Sequence, residues 1–308
     1  MKRKRRISSM SISVWFRVIR IKFLLASVIA VSLGLVISYW QTKSLDLTSA
    51  AITMGGVMAL HASVDLLNDY SDYKRGIDTM TKRTKFSGGT GVLPEGLLKP
   101  STVYSAGVIF LVLGSLAGAY FVIIHGWIIA TILGFAIMSI YFYSTKIVDS
   151  GLGELFVGIK GTMIVLGTMF IQTQEILPTN IVAGVVAGTL SSFVLFITSF
   201  PDHDADKAKG RKTLVIVVGK LQSANMYWVF PSVAYGLVIF GILSGLFPAY
   251  SSIVFATIPL VIKSGRKIKQ TVNNTDEFVA IMKSTVLFSR ITGALFVVSF
   301  LISILKNN

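Results

Sequence analysis

The feature that most constrains this chain is a succession of nine long apolar stretches joined by polar connections. A helix that crosses a bilayer needs roughly 20 mainly apolar residues. The 308 residues are 53% hydrophobic and only 14% charged, with a mean hydropathy of +0.72. We therefore expect an all-α polytopic membrane protein, a bundle of about nine transmembrane helices. The stretches lie at 22–40, 48–67, 102–124, 126–145, 153–173, 179–200, 223–247, 249–263 and 284–305.

The basic residues sort by side of the membrane. With the amino terminus in the cytoplasm, 25 of the 29 lysines and arginines fall on the cytoplasmic side. This asymmetry is typical of a multi-pass protein of the cell membrane and explains the net charge of +15 without nucleic acid. We expect residues 1–21 to form a basic cytoplasmic segment that attracts anionic membrane lipid, and 22–308 to form a single transmembrane domain.

The chain contains no cysteine. Disulfides, thiolate catalysis, cysteine-ligated zinc and iron–sulfur clusters are therefore excluded. Any metal site must use oxygen or imidazole ligands, and the chain has three histidines. Oxygen ligands of this kind favour magnesium over zinc.

Half of the acidic residues lie in two short segments, which follow the second and sixth apolar stretches. These residues are Asp65, Asp69, Asp72, Asp78, Asp202, Asp204 and Asp206. Residues four apart share a helix face, so Asn68 lies beside Asp72, and Asp202 beside Asp206. Carboxylates packed at the edge of a bilayer repel one another unless a cation sits among them. The matching positions of the two segments suggest two four-helix halves followed by one further helix.

Two facing acidic segments describe a site for a magnesium-bound diphosphate. Magnesium keeps several waters and binds through a few carboxylates together with substrate phosphates. Basic residues follow both segments, and we select Arg83, Arg211 and Lys212 as diphosphate ligands, the alternative being ordinary loop charges. The glycines of 88–91 either bring the backbone close to phosphate or form a flexible loop.

In combination, these motifs resemble the UbiA-type intramembrane prenyltransferases. The family pattern is an Asn-Asp-x-x-Asp segment with a further Asp, and a later Asp-x-x-x-Asp segment. The matching residues are Asn68, Asp69, Asp72, Asp78, Asp202 and Asp206, and similarity extends to 86–96, 141–143, 151–154 and 210–214. The spacing to Asp78 and the segment 151–154 look most like the menaquinone-pathway branch, which prenylates dihydroxynaphthoate. The resemblance implies a nine-helix bundle with a lipid-open central cavity.

The resemblance also implies roles for the matched residues. Asn68, Asp72, Asp202 and Asp206 are expected to be catalytic, bridging magnesium to a polyprenyl diphosphate. Asp69 and Asp78 are expected to complete the metal site, directly or through water. The metal neutralises the leaving group, and a lipid-soluble acceptor attacks the prenyl cation.

Three further residues are candidates for the prenyl and acceptor pocket. Tyr141 and Tyr143 either stabilise an allylic cation through their rings or belong to an interfacial aromatic belt. Lys160 interrupts the fifth apolar stretch. It either contacts an acidic or phosphorylated acceptor, or pairs with a carboxylate at a helix end.

The acceptor is left with alternatives. The motifs favour dihydroxynaphthoate or a similar aromatic, and the enzyme rival transfers geranylgeranyl to geranylgeranylglyceryl phosphate. Asp65 and Pro201 depart from the menaquinone branch, which leaves the acceptor open. A cation-coupled transporter is an alternative of another class, disfavoured because the acids lie at helix ends and not in mid-membrane.

Overall fold

The structure of the chain, a computed structural model, describes residues 12–306, and its regular elements are all helical within that range. Residues 1–11 of the expected basic segment lie outside it. A helical segment at 12–18 precedes eleven α-helices. These are α1 (Ile21–Thr42), α2 (Leu47–Arg75), α3 (Pro100–His125), α4 (Trp127–Phe142), α5 (Gly153–Thr173), α6 (Pro178–Ala208), α7 (Leu214–Val218), α8 (Lys220–Met226), α9 (Val229–Leu243), α10 (Ile258–Thr271) and α11 (Thr275–Lys306).

Within residues 12–306, eight helices are long and apolar enough to cross a membrane. They are α1, α2, α3, α4 with its extension to Ser150, α5, α6, the pair α8–α9, and α11. The extension of α4 consists of a π-helical turn, Tyr143–Ile147, and a 3₁₀ turn, Val148–Ser150. The prediction of an all-α polytopic membrane protein is confirmed.

The predicted eighth stretch, 249–263, is not a regular transmembrane helix. The chain forms a 3₁₀ segment at Ala249–Thr257 and changes to an α-helix only at Ile258. Pro259 has no N–H to donate to a hydrogen bond with the preceding turn. It is readily accommodated in the first turn of α10, which is why the α-helix begins there.

This irregular segment nevertheless runs antiparallel to α11. The hydroxyl of Ser251 lies 3.1 Å from that of Ser299, and the hydroxyl of Thr257 lies 2.9 Å from that of Thr292. All four residues are buried. The segment and α10 together therefore occupy the place of the ninth expected crossing.

Aromatic side chains fix α6 against α11. Phe193 lies 5.8 Å from Phe288 between ring centroids, and Phe200 lies 5.0 Å from Phe278. These four rings are almost fully buried. Rigid, closely packed aromatics of this kind hold the acidic end of α6 in a fixed position relative to α11.

Close approach of α5 and α6 depends on glycine. A Cβ atom placed on Gly188 would lie 2.2 Å from the carbonyl oxygen of Gly158, so no larger residue fits. Small residues permit such contacts between helices in a membrane, where apolar side chains gain little by leaving lipid.

The acidic end of α2 is defined by its caps. At the far end, the Asp46 carboxylate accepts hydrogen bonds from the N–H groups of Thr48 (2.9 Å) and Ser49 (3.3 Å). At the acidic end, Gly76 adopts a left-handed conformation with φ 71° and stops the helix. The chain therefore turns just after Asp72 into the connection 76–99.

Candidate active site

The two acidic segments line one cavity at the same end of the bundle. Asn68 and Asp72 reach it from the last turns of α2, and Asp202 and Asp206 from the last turns of α6. Asp78 enters from the connection 76–99. The helix ends are in direct contact, since Arg75 donates a 2.7 Å hydrogen bond to the carbonyl of Lys209. The fold thus brings together residues more than 100 positions apart in sequence.

Arg211 is the cation between the two segments. Its guanidinium donates to Asp206 at 3.1 Å and also to Asp72. Burial opposes its charge, but Asp72 and Asp206 outweigh burial and hold the pKa of Arg211 above its usual range. The one predicted diphosphate ligand that lines the cavity is therefore Arg211, and its partners are two of the predicted metal ligands.

Several carboxylate oxygens in this cavity lack partners. Buried oxygens of Asp65, Asp78 and Asp202 accept no hydrogen bond within residues 12–306. Burial, and then the neighbouring charges of Asp72 and Asp69, raises the pKa of Asp78 to about 7. A buried anion without a partner is unfavourable, so the cavity is electrostatically prepared for a cation.

These residues fit a hard divalent cation in their chemistry, although not yet in their spacing. The donors are carboxylate and amide oxygens, which suit magnesium. Across residues 12–306, however, no three Asp, Glu, His or Cys side chains stand close enough to hold a metal ion. Asp72 and Asp206 are both held by Arg211, and Asn68 by Ser144 at 2.8 Å. Binding a metal there requires these side chains to exchange partners.

Asp69 has a different position from the other acids. Its two carboxylate oxygens accept hydrogen bonds from the backbone N–H (3.0 Å) and the hydroxyl (2.8 Å) of Thr90. Its side chain is fully buried, with Arg20 3.5 Å away. Asp69, predicted as part of the metal site, is thus occupied in anchoring the glycine-rich loop.

The glycine-rich loop is hydrogen-bonded to both acidic segments. The N–H of Gly88 donates to Asp202 at 3.2 Å, while Thr90 is held by Asp69. A Cβ atom on Gly89, which has φ 70°, would lie 2.5 Å from the Asp78 carboxylate. Only glycine allows the backbone to pass this close to the acids, and the approach of this loop to a phosphate stays a prediction.

Three predicted site residues do not line the acidic cavity. Arg83 forms a 2.5 Å ion pair with Glu95, Lys212 is exposed, and Tyr141 is 62% exposed on the outside of the bundle. Tyr143 and Lys160, by contrast, line the cavity. The ring of Tyr141 therefore faces the surroundings, as an interfacial aromatic does.

Arg20 is a cavity residue that the sequence did not reveal. It lies between the segment 12–18 and α1 in a left-handed conformation with φ 48°. Burial disfavours its charge, but Asp65, Asp69, Asp78 and Asp72 raise the pKa of Arg20 above its ordinary value. Its Nε has no hydrogen-bond partner in the described part of the chain. In the sequence it is only one more basic residue before an apolar stretch.

An apolar cavity adjoins the acidic one. It lies among α2, α3, α4 and α5, and its walls are almost entirely aliphatic and aromatic. The two cavities share lining residues, among them Ser27, His61 and Lys160. A ligand with a charged head and a long apolar tail can therefore lie across both.

Comparisons with known proteins agree with this geometry. Residues 26–288 match the UbiA prenyltransferase family. The chain is 28% identical over 285 residues to the 1,4-dihydroxy-2-naphthoate octaprenyltransferase of Bacillus subtilis (strain 168), covering 91% of this chain and 89% of the relative.

Solved structures share the fold. A UbiA homolog from Archaeoglobus fulgidus bound to GPP and Mg²⁺ superposes with a TM-score of 0.64 at 15% identity, over 94% of this chain and 98% of that one. A structure of digeranylgeranylglyceryl phosphate synthase gives a TM-score of 0.64 at 19% identity, with the same coverage. The family match spans most of the chain and includes both acidic segments, so the chain belongs to the UbiA prenyltransferase family and is a membrane prenyltransferase.

Proposed function

We propose that this prenyltransferase transfers a polyprenyl group from its diphosphate to 1,4-dihydroxy-2-naphthoate or a similar aromatic acceptor. The observation that carries the proposal is the acidic cavity, where unpartnered carboxylates lie beside Arg211 and Arg20 and an apolar cavity follows. The similarity to the Bacillus subtilis naphthoate octaprenyltransferase over 91% of the chain supports the aromatic acceptor.

The reaction breaks the bond between C1 of the prenyl chain and its diphosphate oxygen, and the electron pair leaves with the diphosphate. A ring carbon of the acceptor forms the new bond to C1 and then releases the proton or carbon dioxide that it carried. Arg211 and Arg20 bind the departing diphosphate through charged hydrogen bonds. The apolar walls of the adjoining cavity hold the prenyl chain and exclude water from its reactive carbon.

The carboxylates of the cavity give the site its expected metal dependence. Asn68, Asp72, Asp78, Asp202 and Asp206 are the residues that would hold a divalent ion. When bound, the ion supplies positive charge that stabilises the diphosphate as it leaves. Arg211, which donates to Asp72 and Asp206, would then be available to phosphate oxygens.

Geranylgeranylglyceryl phosphate is a second candidate acceptor. It is favoured by Lys160, whose ammonium group faces the cavity and suits a phosphate. The transporter alternative is set aside because the chain is a prenyltransferase.

We further propose that both acidic segments face the cytoplasm. The connections on the same side as the two acidic segments carry most of the lysines and arginines, which supports this orientation. Lys85 is exposed beside the glycine-rich loop, and Ser44 is exposed at the opposite end of α1. In this cysteine-free chain, Ser44→Cys should react with an impermeant thiol reagent on intact cells and Lys85→Cys only after lysis. The reverse pattern would overturn the orientation.

The function is tested by mass spectrometry of products. Purified protein is incubated with magnesium, a polyprenyl diphosphate and either dihydroxynaphthoate or geranylgeranylglyceryl phosphate, with Asp202→Asn as the inactive control. We expect a prenylated naphthalene product from the wild-type chain alone. Prenylation of the glyceryl phosphate without the naphthoate would refute the aromatic acceptor.

A further inference from the structure

A largely enclosed polar cluster lies where the acidic and apolar cavities meet. It consists of Ser27 on α1, His61 and Asp65 on α2, and Lys160 on α5. Three of these residues line both cavities, and Asp65 lines the acidic one. The cluster adjoins the acids and arginines that hold the diphosphate in the proposed function, and Asp65 is the member nearest to them in charge, since it acts on Arg20.

The cluster is only partly satisfied by its own contacts. The hydroxyl of Ser27 lies 2.6 Å from Nδ1 of His61, and Nε2 of His61 lies 3.8 Å from Oδ2 of Asp65. That Asp65 oxygen is buried and has no hydrogen-bond partner. The ammonium group of Lys160 forms no hydrogen bond and no ion pair with any residue of 12–306, and Asp65 is the acid whose charge acts on it.

A lysine without a close partner inside a helix bundle is costly unless a ligand completes it. Arg290 shows the contrast, because it also lines the acidic cavity but donates a 2.7 Å hydrogen bond to the carbonyl of Lys22 and lies 5.6 Å from the ring of Phe23. Arg290 is thus supported by its own surroundings, whereas Lys160 is available to a ligand.

The cluster lies deeper in the bundle than the diphosphate end of the cavity. Asp65 precedes Asp72 by two helical turns, which places it about 10 Å along the helix axis from the diphosphate end. An acceptor carbon must approach C1 of the prenyl group to about 3–3.5 Å. An anionic group attached close to that carbon then lies in the cavity that Lys160 lines.

We propose that Lys160 binds an anionic group of the acceptor and thereby selects anionic over neutral acceptors. Asp65, on α2, is the acid whose charge acts on Lys160 from the opposite wall. The shared chemistry is a carboxylate on an aromatic ring or a phosphate on a glyceryl ether. This proposal rests on the proposed prenyl transfer and specifies the substrate class of the same site.

The test compares Michaelis constants for matched acceptors. Wild-type protein, Lys160→Met and Lys160→Arg are assayed with dihydroxynaphthoate, with dihydroxynaphthalene, which lacks the carboxylate, and with geranylgeranylglyceryl phosphate. Lys43→Met, at the exposed far end of α1, is the control. Lys160→Met should raise KM for the anionic acceptor that the wild type uses by about 30-fold or more, because the anionic group of that acceptor loses its partner in the cavity.

The other readouts separate acceptor binding from a general defect. We expect Lys160→Met to leave KM for the polyprenyl diphosphate and for dihydroxynaphthalene nearly unchanged, and Lys160→Arg to retain most of the preference for the anionic acceptor. A naphthoate-specific loss identifies the carboxylate, and a glyceryl-ether-specific loss the phosphate. Equal losses for anionic and neutral acceptors, or a matching rise in KM for the diphosphate, would overturn the proposal.

Folding and function have separate controls. If Lys160→Met does not yield folded protein, Lys160→Arg and Lys160→Gln are compared instead. The quantity compared is the ratio of kcat/KM for dihydroxynaphthoate to kcat/KM for dihydroxynaphthalene. We expect this preference to be lost only in Lys160→Gln. A preference retained in Lys160→Gln would contradict the proposal. If the wild-type chain prenylates none of the three acceptors, the proposed function itself fails.

Discussion

The two acidic segments present the same residue types but distribute them differently. In the segment on α2, Asp69 is fully buried and anchors Thr90 of the glycine-rich loop, while Asp72 faces the cavity. In the segment on α6, Asp204 is 81% exposed and pairs with His203 at 2.7 Å and Lys220 at 3.2 Å. Each segment therefore contains an acid with a structural partner as well as acids that await one.

The difference teaches that the partners of an acid, and not its place in a motif, indicate its task. Asp202 has one oxygen bound to the N–H of Gly88 and the other buried without a partner. Asp204, two residues later, points away from the cavity. A metal site needs the first kind of carboxylate and gains nothing from the second.

The largest effect is expected from the unpartnered acid of α6. Asp202→Asn should lower kcat by about 100-fold or more, because it withdraws charge where the diphosphate departs. Asp204→Asn, the matched control two residues away, should retain near wild-type activity. Both are measured as prenyl transfer at saturating magnesium, together with thermal unfolding. Equal losses in the two variants would break the comparison between inward and outward acids.

An intermediate effect is expected from the anchoring acid of α2. Asp69→Ala leaves the buried N–H and hydroxyl of Thr90 without their acceptor, at a cost of about 1–3 kcal/mol. The glycine-rich loop should then exchange its amide hydrogens faster, and activity should fall less than in Asp202→Asn. Asp69→Asn keeps one acceptor oxygen and should be milder. Unchanged exchange in Asp69→Ala would show that this acid does not hold the loop.

The smallest effect is expected at the exposed clamp on the same connection. Glu95 accepts hydrogen bonds from Arg17, at 2.6 and 2.8 Å, and pairs with Arg83. The hydrogen bonds from Arg17 and then Arg83 lower the pKa of Glu95 to about 2 from its usual 4.5. Because the folded pKa is lowered, the stabilisation is present above pH 4.5 and is lost as the pH falls toward 2.

Glu95→Gln should therefore raise amide exchange of 76–99 modestly at neutral pH and change activity little, since exposed ion pairs contribute little. The wild-type and variant chains should become alike below about pH 2, once corrected for intrinsic exchange. A difference between them that grows with acidification would contradict the sign of this linkage.

The sequence predicted the parts of this protein that depend on local pattern. Apolar length identified the membrane helices, and i, i+4 spacing identified Asp72 and Asp206 as members of one-sided acidic faces. Family, enzyme class and fold are confirmed by the comparisons. At 249–263 the pattern misled, because hydropathy does not register that Pro259 fixes where an α-helix begins.

Contacts between distant residues could not be read from the sequence. Nothing in the sequence around Asp69 shows that this acid reaches Thr90. Nor does the sequence of the connection 76–99 show that Arg83 pairs with Glu95. The position of Arg20 depends on its own left-handed backbone conformation just before α1. Such pairings are set by the packed fold. Asp69 binds the loop and Asp72 lines the cavity because their side chains leave α2 in different directions.

The central claim is that buried carboxylates without partners form a divalent-cation site for a diphosphate. The most direct measurement is equilibrium binding of a labelled polyprenyl diphosphate to purified full-length protein, with EDTA and with increasing magnesium, in the wild-type, Asp202→Asn and Asp204→Asn chains. The account predicts that binding requires magnesium in the wild-type and Asp204→Asn chains and is strongly weakened in Asp202→Asn. Binding that is equally tight with EDTA, or unaffected by Asp202→Asn, would contradict it.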